Sequence, residues 1–176
     1  MTPNRTCEGQ VALVTGASQG GTAIAIRLTA EGAKVAITAR TVEGHERTRE
    51  GIEAIGGECL ALPADLADPT GARTELAART EAALGPVDIL VNNAAVNGYH
   101  PFDEATPEAL ERCLQVNLWA PWELMKAVVP DMCERGAAGS STSRPSRPSS
   151  HPAHLSRSTS RRRAASTARP RWRSTS

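Results

Sequence analysis

The 176 residues suffice for one domain with a buried core, and 40% apolar with 22% charged residues is the composition of a soluble chain. No stretch reaches the ~18 continuous apolar residues of a membrane span, and the opening MTPNRTCEGQ has no apolar run after its arginine, so a cytosolic protein is expected. The formal charge of +1 conceals a division: all 19 acidic residues lie in 1–135, whereas 136–176 holds nine arginines and no acid.

Cys7, Cys59, Cys113 and Cys133 form no CxxC pair, which argues against a zinc site or a disulfide framework; reduced, mostly buried thiols are expected. Residues 11–15, VALVT, read as a buried strand running into Gly16, after which Gly20 and Gly21 open an apolar helix. A buried strand, a glycine turn and a helix N-terminus make an anion site, because free backbone N–H groups and the helix dipole both favour phosphate. The helix covers residues 23–31, with Gly32 as its C-cap, and Lys34–Thr38 is a second buried strand. A polar amphipathic helix over 43–55 stops at Gly56-Gly57, and residues 58–62 form a third strand. Asp68 and Pro69 read as N-cap and first position of a helix reaching about Leu84. Residues 87–91 are a fourth strand ending at Asn92-Asn93-Ala94-Ala95. Thr106-Pro107-Glu108 starts another helix, kinked or restarted at Pro121 and continuing to about Arg135. Strands alternating with helices at this spacing imply an α/β fold: an incomplete, Rossmann-like, doubly wound parallel sheet over 1–135 with its ligand outside the carboxyl ends of the strands. From Gly136 the chain is rich in Ser, Arg and Pro without periodicity, and a disordered basic tail is expected.

TGASQGG, the strand end VAITAR, PADLAD, the strand end ILVNNAA and LQVNLWAP, in this order, closely resemble the short-chain dehydrogenase/reductase family over about residues 9–135. The resemblance implies that Gly16 and Gly20 form the turn under the pyrophosphate of a dinucleotide, with Ser18 and Gln19 lining it. It puts the family's third glycine at Thr22, a departure expected to weaken cofactor binding or shift the helix start, with Gly21 beside it available to absorb the change. Arg40 stands where the family reads the adenosine ribose; a guanidinium suits a 2′-phosphate, so NADP is expected over NAD, although a solvated strand-end arginine reads the same way. Asp65 and Leu66 match the pair that contacts adenine, and Asn92, Asn93 and Ala94 match the motif bordering the cofactor ribose, Asn93 in a structural role. Asn117 matches the asparagine that bends its helix and holds a water in the proton relay, the one surviving member of the catalytic set.

The rest of that set is missing. The family uses a tyrosine as acid or base, a lysine four residues later and a serine. Here the single tyrosine, Tyr99, is followed four residues on by Asp103, and the only lysines are Lys34 and Lys126; Trp122 stands four before Lys126, but an indole cannot transfer that proton. The loss reads either as a frame disruption in the tail, which is the expectation, or as a genuine but divergent tail. If each true codon begins at the third base of the codon now read, residues 140–145 allow apolar, apolar, Asn, apolar, Ser, Ser, and Thr167 and Arg171 allow Tyr and Lys, as do Thr159 and Arg163.

As a family statement, the chain is an NAD(P)(H)-dependent oxidoreductase acting on a small-molecule carbonyl or secondary alcohol, in a family that habitually forms homo-oligomers; lacking Tyr-x-x-x-Lys, these 176 residues are expected to be inactive. The alternatives are a non-catalytic dinucleotide-binding fragment and a basic-tailed interaction protein; no specific nucleic acid, membrane or metal is expected. Tyr99, His100 and Phe102 either line the pocket mouth or pack their own loop.

Overall fold

The structure is a computed structural model that describes residues 6–18, 20–97, 101 and 103–136; the expectations for Gln19, Tyr99, His100, Phe102 and the tail from 137 fall outside them. Strand β1, Val11–Thr15, is buried at all five positions, as a continuous apolar run in the middle of a parallel sheet must be. β2, Lys34–Thr38, pairs with it from Val11↔Lys34 to Thr15↔Thr38. β3, Cys59–Ala61, lies outside β2, and β4, Ile89–Val91, lies on the other side of β1. The four strands are parallel in the order β3-β2-β1-β4.

Among the described residues there are five α-helices, α1 Gly20–Ala30, α2 Val42–Glu53, α3 Leu76–Leu84, α4 Pro107–Leu114 and α5 Ala120–Glu134, of which α1, α2, α3 and α5 bury residues against the sheet and α4 buries none. One face buries Ala12, Val14, Val35 and Ile37 against Ala25 of α1 and Ile52 of α2. The other buries Leu13 and Ala36 against Leu76 of α3 and Leu124, Val128 and Met132 of α5. The order of strands reverses at β1, so the chain leaves the paired carboxyl ends of β1 and β4 towards opposite faces of the sheet, which opens the crevice where doubly wound sheets bind ligands.

Local chemistry sets the helix ends. Thr41 caps α2 by accepting from Gly44 N, Thr106 caps α4 by accepting from Ala109 N with Pro107 in its first turn, and Gly32 at φ +97° closes the turn after α1. Arg135 anchors the far end of α5, donating to Asp88 Oδ1 at 2.5 Å and to Val87 O at 2.7 Å, while Asp88 Oδ2 accepts from Val11 N.

Three expectations are corrected. Asp68 starts no helix: its Oδ1 accepts from both Thr70 N and Thr70 Oγ1, folding the chain into a turn, and a 3₁₀ segment Ala72–Glu75 intervenes before α3. The same bonds to Thr70 hold its carboxyl below the usual carboxylate range. The break in the last helical stretch comes ahead of Pro121, as a π-helical turn Gln115–Trp119 in which Ala120 N donates to Gln115 O. Proline has no N–H to donate and its ring crowds the carbonyl four residues back, so the preceding turn widens. The thiols are free but not mostly buried: Cys7, Cys59 and Cys113 are half-buried and Cys133 is exposed.

Candidate cofactor site

A cleft of about 210 Å³ opens at the carboxyl ends of the strands, walled by Gly16, Ser18 and Gly20 after β1, Thr38, Ala39 and Arg40 at β2, Ala64, Asp65 and Leu66 after β3, Asn93 to Val96 after β4, and Val116. Of the residues singled out in the sequence, Gly16, Ser18, Gly20, Arg40, Asp65, Leu66 and Ala94 come together in this wall. Asn92 is exposed and outside it. Asn117 stays outside as well, clasping the Val96 backbone in both directions, with Val96 N donating to Oδ1 and Nδ2 donating to Val96 O, each at 2.9 Å.

Thr15 and Asn93 hold the glycine turn against the β4 end. Thr15 Oγ1 accepts from the backbone N–H groups of Asn93 and Ala94 at 3.1 Å, and Asn93 Nδ2 donates to the carbonyls of Thr15 and Gly16. Gly16 has φ +70°, and a Cβ there would stand 2.6 Å from Ala94 Cα. Gly21 is the second close approach: its Cβ would fall 2.6 Å from Gly16 O and 2.9 Å from Asn93 Nδ2. Gly21, like Gly16, therefore must lack a side chain, next to the Thr22 at which the resemblance puts a glycine. The Thr22 hydroxyl instead donates to Ala17 O at 3.0 Å and meets Thr48 Oγ1 at 2.7 Å, and Thr48 also donates to Ala17 O. These bonds pin the turn to α2.

α1 has no acidic side chain in its first turn, so no carboxylate competes for its free N–H groups. Arg40 is exposed at the rim and has no ion-pair partner among the described residues. Thr38 Oγ1, in the cleft wall, is buried without a hydrogen-bond partner, the kind of orphan that a wall completed by a polar ligand carries. Asp65 already engages two donors: Oδ1 accepts from Ala67 N at 3.0 Å, and Arg112 lies 3.4 Å away.

Residues 10–140 match the short chain dehydrogenase family. The chain belongs to the short-chain dehydrogenases. It is similar to versicolorin reductase 1 of Aspergillus parasiticus, 36% identical over 138 residues, which are 77% of this chain and 52% of that protein. A metagenomic short-chain oxidoreductase solved in complex with NADP superposes with a TM-score of 0.67 at 41% identity, over 73% of this chain and 58% of that one. The L-sorbose reductase of Gluconobacter frateurii, solved with NADPH and L-sorbose, gives a TM-score of 0.68 at 30% identity, over 76% of this chain and 51% of that one. The chain spans about half the length of the curated relatives it matches.

In this short-chain dehydrogenase the two lysines stand away from the cleft. Lys34 opens β2, at the opposite end of that strand, and Lys126 lies 5.2 Å from the ring centroid of Trp122 on α5. Among the described residues no cluster of His, Cys, Asp and Glu could hold a metal, and no helix is long and apolar enough to cross a membrane.

Two residues that hold the wall from behind, without lining the cleft, were not singled out in the sequence. Arg73, 3% exposed, donates from Nη1 to Leu66 O at 2.7 Å and Gln115 Oε1 at 2.9 Å, and from Nε and Nη2 to the Glu123 carboxylate at 3.0 Å. It ties the segment after β3 to the π-helical turn and α5. His45, 5% exposed, accepts from Ala39 N at 2.9 Å through Nε2, and burial pushes its titration below the usual imidazole range. Both are charged or titratable residues in a polar segment, and neither lies in a motif.

Proposed function

We propose that residues 1–135 are the dinucleotide-binding part of an NADP(H)-dependent oxidoreductase of carbonyl compounds or secondary alcohols, and that this chain binds the cofactor without turning substrate over. The observation that carries the reading is the convergence of Gly16, Gly20, Arg40, Asp65 and Ala94 on one cleft at the switch point of the sheet. The residues present fit a dinucleotide diphosphate: Gly16 and Gly20 line the cleft without side chains, and the acid-free N-terminus of α1 offers N–H donors to an anion. Arg40 would take the 2′-phosphate of the adenosine ribose, as a fork of donors without a competing carboxylate. Asp65 and the backbone at Leu66 would hold the adenine edge. When bound, the nicotinamide supplies hydride chemistry.

The reading of inactivity rests on the absence of any Tyr-x-x-x-Lys in the 176 residues. We attribute that absence to a change of reading frame near residue 136, where acidic residues vanish and the composition turns to Ser, Arg and Pro. Sequencing the locus and its transcript tests the frame: a continuous frame supported by translated peptides from 137–176 would refute it.

For the binding claim, NADPH and NADH are titrated against the purified chain by fluorescence, with ketones and sugars added for turnover. Binding that favours NADPH without turnover is the expected result. Turnover would refute the inactivity, and absence of binding would refute the cofactor assignment.

A further inference from the structure

The strand end that carries Arg40 is held by an unusual acceptor. Ala39 N–H, the last amide before Arg40, donates to a side chain, His45 Nε2, at 2.9 Å in a buried setting. Its carbonyl accepts from Ala64 N at 3.2 Å, and on the far side of Arg40 the Thr41 hydroxyl accepts from Gly44 N. The residues before and after Arg40 are thus both fastened to the first turn of α2, and that turn packs closely on Ser18 of the glycine turn and on Ala39. Arg40 itself is exposed, and the backbone that flanks it sets where its side chain leaves the strand end.

We propose that His45 is a positioning residue for cofactor discrimination: in its neutral form it fixes the Ala39–Arg40 backbone so that the guanidinium meets the 2′-phosphate, and on protonation it releases that hold. The proposal rests on the reading of Arg40 as the 2′-phosphate ligand. Its chemistry is specific to one protonation state. A neutral imidazole with its hydrogen on Nδ1 has a lone pair at Nε2 to receive the Ala39 N–H; an imidazolium has hydrogens on both nitrogens and would point a donor at a donor.

The neighbourhood favours the neutral form. Burial lowers the titration of His45, and Glu46, next to it on α2, opposes that shift without reversing it. Arg40 is the charge on the strand side, Thr38 and Ala39 carry none, and residues 62–64, which pair with this strand end, are Leu, Pro and Ala. α1 meets α2 through Thr22 and Ile26, also uncharged. A leucine at this position would fill the space but supply no acceptor, which separates packing from positioning.

The test uses the full chain, with NADPH and NADH dissociation constants measured by fluorescence from about pH 5.5 to 8.5 for wild type, His45→Gln and His45→Leu. Glutamine keeps an acceptor that does not titrate. In wild type the preference for NADPH should fall roughly ten-fold more than in His45→Gln as the pH drops, because protonation of the 2′-phosphate itself is common to both. His45→Leu should lose roughly ten-fold in NADPH affinity at the alkaline end while NADH affinity changes by less than about two-fold. In the cofactor-free wild type, the Ala39 amide resonance should move with the same midpoint as the His45 ring, a readout that needs no variant to fold. Coincident preference profiles for wild type and His45→Gln, a preference kept by His45→Leu, or an Ala39 amide indifferent to the His45 titration would each overturn the proposal alone. A wild-type chain that binds both cofactors alike at the alkaline end overturns the Arg40 reading and this proposal together.

Discussion

Replacing Glu123 with leucine strands a buried cation. Arg73 has a side chain 2% exposed, and its Nε and Nη2 donate only to the Glu123 carboxylate, whose own side chain is 35% exposed. Leucine removes both acceptors and shields the gap from water, leaving two guanidinium donors unpaired beside Leu66 O and Gln115 Oε1. Breaking one side of a buried pair typically destabilises by about 3–5 kcal/mol, and the two surviving acceptors on Nη1 place Glu123→Leu near about 3 kcal/mol. Arg73→Met removes the charge itself, lets Glu123 rehydrate and leaves two acceptors without donors, for about 1–2 kcal/mol. The double variant should be no worse than Arg73→Met, a coupling of about 2 kcal/mol or more. Urea unfolding followed by circular dichroism measures all three; with a slope of about 1–3 kcal/mol per molar, Glu123→Leu should lower the midpoint by roughly 1–3 M. A loss below about 1 kcal/mol for Glu123→Leu, or a double variant equal to the sum of the singles, would refute the account of Arg73 as a charge that needs its partner.

Gly21→Ala should abolish or strongly weaken NADPH binding, because the new methyl would press on Gly16 O; calorimetric titration checks it, and wild-type affinity would show that the turn relaxes freely. Thr22→Gly, by contrast, should weaken rather than restore binding, since it removes a hydroxyl that joins Ala17 O to Thr48; an improved Kd would contradict this. Arg40→Asp should reverse the preference towards NADH, read from the ratio of the two dissociation constants. The folded chain holds His45 below its ordinary titration range, so the unfolded chain takes up its proton first as the pH falls; the stability it supports is complete above the unfolded value and is lost as the pH drops through the folded one. Unfolding midpoints between about pH 7 and 5 should therefore show a steeper decline in wild type than in His45→Gln, and parallel curves would count against it.

The parallel sheet was legible because a strand buried on both faces has to be apolar at every position, as VALVT is, and the start of α4 because a threonine cap accepts from the N–H three residues on, as Thr106 does from Ala109, while the next proline presets a helical φ. The glycine turn was legible as a strand, a tight turn and a helix start in succession, whereas Arg40 and the Asp65-Leu66 pair were picked out only through the family resemblance; that they share one cleft follows from the convergence of strand ends in a doubly wound sheet. Pattern reading misplaced the helix start at Asp68 because an Asx turn and an N-cap present the same residue types.

What lay beyond pattern was each property that depends on a distant partner. Thr22 and Gly21 are adjacent, and which of them must lack a side chain is settled by Gly16 O and the Asn93 amide, the latter more than 70 positions away. Arg73 sits in a segment that reads as a polar helix, yet Gln115 and Glu123 make its burial possible. His45 looks like a surface residue of a charged helix until the end of β2 is folded against it. Local propensity and periodicity report the backbone a segment will adopt and the face it will bury, because those depend on near neighbours along the chain. The burial of a charge and the room for a single methyl depend on atoms that only folding brings within 3 Å.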